Sequence, residues 1–345
     1  DWKIPVDAQR PIDNRIKTGA YIQPKRRAMH LPLPVGVSDY RLASTEYYYI
    51  DKTMMIKEFL DERPMVSLFT RPRRFGKSLT LSTLKAVFQG KKELFKGLAI
   101  DSDEMDWEAR PVLKLDLNAE KYDSVEALES ILRDNLSRWE RTYGSDTKEK
   151  SLQRRFESVI RCVHQKTGRT VVILVDEYDK PMLQAIGKPA LADAYRDILK
   201  AFYGVMKSCD QHIKFAFLTG VTKFSKVSIF SDLNNIEDIT LVDEYSAICG
   251  ITEEEIHSVL DGEVVMLAEK NKISKEECYE KLKEWYDGYH FTSDIELPGV
   301  YNPFSLLNTL KNLKFQDYWF QTGTPTFLLK VLRNCHYRLD NLSKD

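Results

Sequence analysis

The sequence predicts an α/β fold built on a mostly parallel sheet, and three observations carry that expectation. Short apolar runs at Met65–Thr70, Pro111–Leu117, Thr170–Asp176, Ile213–Thr219 and, weaker, Asp238–Leu241 have the length of five strands. Helical patterns near 78–89, 124–143, 150–165 and 190–208 fall between these runs, which makes each connection a crossover that keeps its strands parallel. Val171 through Val175 is apolar at every position, as a strand is when helices cover both faces of its sheet.

Taken in chain order, residues 1–30 come first and look different from the rest. Seven basic residues stand against three acidic ones, with prolines and little periodicity, which reads as a basic extended arm or linker. Lys25-Arg26-Arg27 would either touch phosphates or simply be solvated. Pro32 to Val37 is a turn-rich entry to an α/β core spanning 31–250, and Tyr47 to Thr53 leads into an amphipathic helix over Met54–Leu60. After about residue 250 the strands stop. A helix near 253–269 and aromatic clusters at Tyr289-His290-Phe291, Tyr301 to Phe304 and Tyr318-Trp319-Phe320 make 251–345 a helical lid or C-terminal helical subdomain.

Composition excludes several classes. With 43% hydrophobic residues and a net charge of −1, the chain has a real core but no global basic field to attract nucleic acid or an anionic membrane. No uncharged stretch is long enough to span a bilayer, so no membrane association is expected. The first residues lack the pattern of a signal peptide, and the start at Asp1 without Met reads as a cut or processed chain. Five cysteines, widely spaced and without a CxxC pair, fit a reducing compartment, so the expected location is cytoplasmic. Six histidines show no metal-binding spacing, and no Gly-x-Ser-x-Gly elbow is present.

The most informative stretch is Thr70-Arg71-Pro72-Arg73-Arg74-Phe75-Gly76-Lys77-Ser78-Leu79, which follows one predicted strand and opens a helix. This is the context of a P-loop (Walker A), with Gly76 for the tight turn, Lys77 on the β/γ-phosphates and Ser78 on Mg²⁺. The helix N-terminus adds its dipole to the same anion site. Arg71 stands where the G-x4-G-K-[ST] pattern has its first glycine. Arg73 and Arg74 would neutralise polyphosphate or else pair with surface carboxylates.

Asp176 and Glu177 end the apolar strand 171–175, placing a Walker B-like acid pair 99 and 100 residues after Lys77. Adjacent strand residues point to opposite faces, so the two acids take different tasks: Asp176 orients Mg²⁺ and Glu177 polarises the attacking water. The acid pair, and the absence of a guanine-specific Asn-Lys-x-Asp, favour Mg-ATP. In an additional-strand ATPase the strand Ile213–Thr219 lies between the phosphate-loop and acidic strands. Its tip residue Thr219 is then the candidate sensor of the γ-phosphate or water, or a structural cap on the strand. Thr222 and Lys223 stand behind it, and Asn234 and Asn235 are weaker candidates. Arg71, Arg73, Arg74 and Lys77 are expected to face Asp176 and Glu177 across the site. Asp179 and Lys180 read as structural neighbours of the acid pair, and Trp285 to His290 as core packing around a glycine turn.

Five segments occur together and in order: Leu33-Pro34-Val35-Gly36, Tyr49-Ile50-Asp51-Lys52-Thr53, Arg71 to Ser78, Val175 to Pro181, and Leu218 to Ser225. This set resembles the AAA-ATPase-like family, whose members often carry a PD-(D/E)XK nuclease-like domain at the C-terminus. The resemblance implies a P-loop NTPase of the additional-strand catalytic-Glu type, with a parallel five-stranded sheet and a helical lid. It also implies that Arg71 is the family's own variant of the loop. Carried over by position, Lys77 and Ser78 bind phosphate and metal, Asp176 and Glu177 form the acid pair, and Pro34, Val35, Gly36 and Asp51–Thr53 line the adenine side. No nuclease-like acid–Lys pattern is found before Asp345, so nuclease activity is not assigned to this chain.

The expectation is therefore Mg-dependent ATP binding and hydrolysis that drives or gates a conformational change. Alternatives are a slow nucleotide-dependent switch or interaction module, and an ATP-dependent regulator of a nuclease or other nucleic-acid-processing partner. A homo-oligomer or a partner would supply an arginine finger; nucleic acid is a possible partner that the charge does not indicate.

Overall fold

The computed structural model describes residues 31–319 except 103–104, 119, 149, 223–228, 232, 234 and 295. The expected arm at 1–30, the end of the expected lid beyond 319, and Lys223 and Asn234 lie outside the described residues.

Five strands form one parallel sheet: β1 (Val66–Thr70), β2 (Val112–Asp116), β3 (Val171–Asp176), β4 (Ile213–Gly220) and β5 (Ile236–Asp238). Their spatial order is β2-β3-β4-β1-β5, so β4 is inserted between the strand that feeds the phosphate loop and the strand that ends in the acid pair. β1 and β3 are buried at every position, whereas β2, at the edge, alternates half-buried and buried. That difference follows from coverage on both faces in the centre and on fewer sides at the rim.

The period-2 geometry of a strand divides β3 and β4 between two cores. Val171, Ile173, Val175, Ala216 and Leu218 enter one cluster with α4 (Val125–Tyr143), α5 (Leu152–Thr167) and α7 (Pro189–Ser208). Val172, Leu174, Phe215 and Phe217 enter the other, with α1 (Tyr40–Glu46), α2 (Thr53–Asp61) and α3 (Lys77–Phe88). Local signals set the helix ends: Ser124 Oγ accepts from Ala127 N at the start of α4, and Gly168 in the left-handed region closes α5.

Residues after 250 build a third core from α8 (Glu253–Val259), α9 (Asp261–Asn271), α10 (Lys275–Tyr286) and α11 (Pro303–Asn312), with α6 (Lys180–Gln184) lying back in the α/β part. Leu33, Val35, Tyr48 and Ile50, from the segment expected to open the α/β core, pack on this helical cluster.

Three local expectations need correction. The last strand lies at Ile236–Asp238 rather than Asp238–Leu241, because Asp238 Oδ1 accepts from Thr240 N at 3.0 Å and turns the chain there. The helix expected over 253–269 is two helices, interrupted at Leu260 just before Asp261-Gly262. Pairing also does not end at 250: antiparallel bridges Ile251–Tyr301 and Tyr289–Val300 tie the chain on either side of α8–α10.

Candidate functional site

The C-terminal ends of β1, β3 and β4 meet at one edge of the sheet, the edge at which open parallel sheets bind ligands. β1 runs through residues 71–76 into α3. Gly76 has φ 91°, a left-handed conformation that β-carbon-bearing residues enter only under strain, and Arg74 enters it at φ 69°. Lys77, 4% exposed, donates from Nζ to the carbonyls of Arg71 at 3.0 Å and Pro72 at 3.2 Å, so the loop itself holds the ammonium. The same Nζ lies 3.2 Å from Glu177 Oε1.

Glu177 leaves β3 with φ 54°, the second left-handed residue of the site, after Arg74, that is not glycine. Its turn is held from below: Tyr178 N donates to Thr219 O at 2.8 Å, and Tyr178 Oη donates to Thr222 O at 2.7 Å. Asp179, fully buried, accepts on Oδ2 from Val221 N, Thr222 N and Thr222 Oγ1, all within 2.9 Å. Burial first, and then the charge of Glu177, push its carboxyl above the ordinary range. Gly220 is required where these segments cross, because a Cβ there would stand 2.5 Å from Tyr178 Cε1.

A cavity of about 480 Å³ opens over this edge, within the size range of small-molecule sites. Of the binding residues expected from sequence, Pro34, Gly36, Arg73, Arg74, Phe75, Gly76, Lys77, Ser78 and Leu79 line it, as does Glu177. Val35 does not; it packs on the C-terminal helices. Asp176 and Thr219 also lie outside the lining. Asp176 is 3% exposed and accepts from Thr219 Oγ1 at 2.8 Å, and Thr219 is wholly buried beneath it.

Two further expectations shift. Arg71 does not face the acid pair; it turns into the core and is absent from the cavity wall. Of Asp51–Thr53 only Lys52 lines the cavity, where it pairs with Glu255 at 2.6 Å. Asp51 instead accepts from Thr53 N and Ala99 N, both at 2.8 Å, and fixes the start of α2.

Asn118 was not anticipated, and Lys180 was expected only as a structural neighbour of the acid pair; the two meet through a 2.8 Å bond from Lys180 Nζ to Asn118 Oδ1 on the wall beside Glu177. Burial first, and then Arg73, lower the Lys180 ammonium. Their signal was positional: both follow the C-terminal ends of strands, β2 and β3. Tyr49, Ile248, Cys249, Ile251, Phe304 and Leu307 complete the apolar wall. Cys249 Sγ lies 3.2 Å from Thr80 Oγ1, and burial raises its thiol. The helical region reaches the loop directly: Phe75 packs edge-on to Tyr289 at 4.7 Å, Arg74 lies over Phe304 at 4.9 Å, and Trp319 Nε1 donates to Arg73 O at 3.0 Å.

A parallel sheet with a glycine-turned loop and helix at the end of β1, a buried lysine on that loop and an acid pair ending β3 defines a P-loop-like α/β protein. Residues 34–230 match the model of the family described as "Predicted AAA-ATPase", and the chain belongs to that family. Membership suggests ATPase activity. A relative from Azotobacter chroococcum mcd 1, named "Uncharacterized protein in vnfD 5'region", is 39% identical over 303 residues, covering 87% of this chain and 56% of the relative. The chain thus spans about half the length of that relative. No helix among the described residues is long and apolar enough to cross a membrane.

Proposed function

We propose that the chain binds and hydrolyses ATP with Mg²⁺, as an additional-strand, catalytic-Glu P-loop ATPase whose core is 31–250 and whose lid is the helical region from 251. The observation that carries this reading is Lys77 Nζ, held by two loop carbonyls and aimed at Glu177 in a cavity lined by the whole 73–79 segment. Main-chain amides of the loop and the α3 N-terminus supply an anion cradle, and Lys77 adds a point charge for the β- and γ-phosphates. The apolar wall of Tyr49, Ile248, Ile251 and Leu307, with Pro34 and Gly36, suits a nucleobase.

Ser78 and Asp176 are the residues that would hold Mg²⁺, Ser78 from the cavity wall and Asp176 from just beneath it. Among the described residues no three acidic, His or Cys side chains converge as an all-protein metal cage. That composition fits a cation that keeps several waters and takes its other ligands from phosphates. When bound, the ion neutralises phosphate charge. Glu177 orients and deprotonates the attacking water once phosphate draws Lys77 away from it. Thr219 acts through Asp176, holding one carboxylate oxygen, rather than as a sensor facing the γ-phosphate.

One observation favours the slower switch as a second reading: Lys77 Nζ lies 3.2 Å from Glu177 Oε1 and so competes for the proposed base. An arginine from a second copy or another partner, and coupling to a nuclease or nucleic acid, belong to the same proposal. Single-turnover ATP hydrolysis separates the readings. The ATPase reading expects Lys77→Ala to lose binding and Glu177→Gln to bind ATP but not turn it over. A Glu177→Gln variant that hydrolyses at the wild-type rate would remove Glu177 as the base.

A further inference from the structure

Position 71 is where the phosphate-loop pattern places its first glycine, yet its backbone does not need one. The left-handed residues of the loop are Arg74 and Gly76, and Arg71 is not among the positive-φ positions. A side chain is therefore tolerated there, and it is spent inward. Arg71 is 1% exposed, with Nη1 donating to the carbonyls of Thr70 at 2.9 Å and Thr240 at 2.7 Å. Its Nη2 donates to Tyr245 O at 3.1 Å and Ser246 O at 3.4 Å. The guanidinium plane is sandwiched, 4.3 Å from the Phe69 ring centre and 4.1 Å from that of Phe291. Burial lowers the group to about 10, so it stays charged at neutral pH.

These contacts join three pieces of chain that are separate in sequence, the end of β1, the 240–246 segment and Phe291. Thr70 ends β1, and Thr240 follows β5. Tyr245 and Ser246 lead directly into Ile248–Ile251, part of the cavity wall. Phe291 belongs to the segment that also packs on Phe75 of the loop. The main chain of Arg71 is equally engaged: its N donates to Gly220 O at 3.1 Å, and its O accepts from Lys77 Nζ at 3.0 Å. A shift of residue 71 therefore moves the ammonium and the facing wall together. Guanidinium suits this task because its planar fork reaches several carbonyls in fixed directions, which a lysine ammonium at the same place does not.

We infer that Arg71 is a positioning residue for nucleotide binding, its guanidinium pinning the phosphate loop to the 240–246 segment and so setting both Lys77 and the opposite wall of the cavity. The inference rests on the nucleotide reading of this site. Replacing the guanidinium leaves buried carbonyls without a donor and frees the loop, so the loss falls on affinity as well as on stability.

The test is the dissociation constant of a fluorescent ADP analogue, measured well below each variant's unfolding midpoint for wild type, Arg71→Lys and Phe291→Leu. Arg71→Lys is expected to bind roughly tenfold more weakly, within the range for residues sharing one hydrogen-bond network. Phe291→Leu keeps every hydrogen bond of Arg71 while loosening its stack and the Phe291–Phe75 ring contact, so a smaller loss of about threefold is expected by the same coupling. That variant carries the test if Arg71→Lys does not fold. Wild-type affinity in folded Arg71→Lys, or in Phe291→Leu where Arg71→Lys is unfolded, makes Arg71 purely structural and overturns the inference alone. A wild type that binds no nucleotide overturns the underlying reading and this inference with it.

Discussion

The sheet face covered by α4, α5 and α7 and the sheet edge carrying Lys77 and Glu177 are built on opposite plans. On the covered face Leu128, Leu132, Leu136, Val159, Ile160 and Val163 are wholly buried, and Phe156 stacks on Phe202 at 4.4 Å with nearly parallel rings. Charges stay at the rim, as in the 2.7 Å pair of Arg155 with Glu140. At the edge, Arg71, Lys77, Asp176 and Asp179 are buried, and two non-glycine residues, Arg74 and Glu177, hold left-handed backbones. Buried charge and strained backbone are costly for a fold and persist where surrounding contacts over-determine them. The difference teaches that the helix-covered face is built for stability and the C-terminal edge of the sheet for chemistry, and residues of the helical region touch the loop at that edge.

Substitutions can break that separation. The largest effect is expected from Glu177→Gln, with turnover falling about 10²–10⁴-fold, the usual contribution of a general base, while ATP affinity persists. A fall in affinity of the same size would instead make Glu177 part of the binding cradle. Next comes Leu132→Ala on the covered face. It is expected to lower stability by about 2–5 kcal/mol in urea unfolding, with nucleotide affinity of the folded protein unchanged. A changed affinity would show that the two regions are coupled.

Thr219→Val lies at the boundary between them. Removing the donor to Asp176 is expected to lower stability by about 1–3 kcal/mol and to raise the Mg²⁺ concentration needed for half-maximal turnover. An unchanged Mg²⁺ requirement would make Thr219 a strand cap only.

The smallest effect is at the far rim of the covered face, where His212 Nδ1 meets His164 Nδ1 at 2.8 Å. Burial first, then His164 and Arg161, hold His212 below its ordinary value of 6.5, against an opposing pull from Asp210. Because the folded value is depressed, the contribution to stability is complete above the unfolded value and is lost as pH falls through it towards the folded value. His212→Gln should therefore show a smaller drop in urea midpoint between about pH 7 and about pH 5 than wild type. An equal drop would assign the acid sensitivity elsewhere.

The covered face was legible in the sequence because period decides it. The 3.6-residue spacing of apolar side chains placed α4, α5 and α7 within two residues of their observed ends, and five apolar runs gave five strands in the expected order of use. That the loop, Lys77, Ser78 and Glu177 would gather at one cavity was legible too, because their positions follow locally from a strand end and a helix start. What stayed hidden depends on contacts between distant segments. Arg71 was expected to face the acid pair, since nothing local reveals the carbonyls waiting at 240, 245 and 246. Thr219 read as either a sensor or a strand cap, since strand position alone does not say whether a tip side chain reaches the cavity or the carboxylate beneath it. Asn118, Lys180 and Phe304 reach the cavity only through packing across the fold.

Everything proposed for this cavity depends on Lys77, held by its loop carbonyls, receiving the phosphates of a nucleotide. Calorimetric titration of ATP into wild type and into Lys77→Ala tests it most directly. The account predicts one site per chain in the wild type, and affinity lost by at least roughly a hundredfold in the variant, which leaves a charged ligand without its buried charge partner. Equal affinity in the two proteins would contradict it.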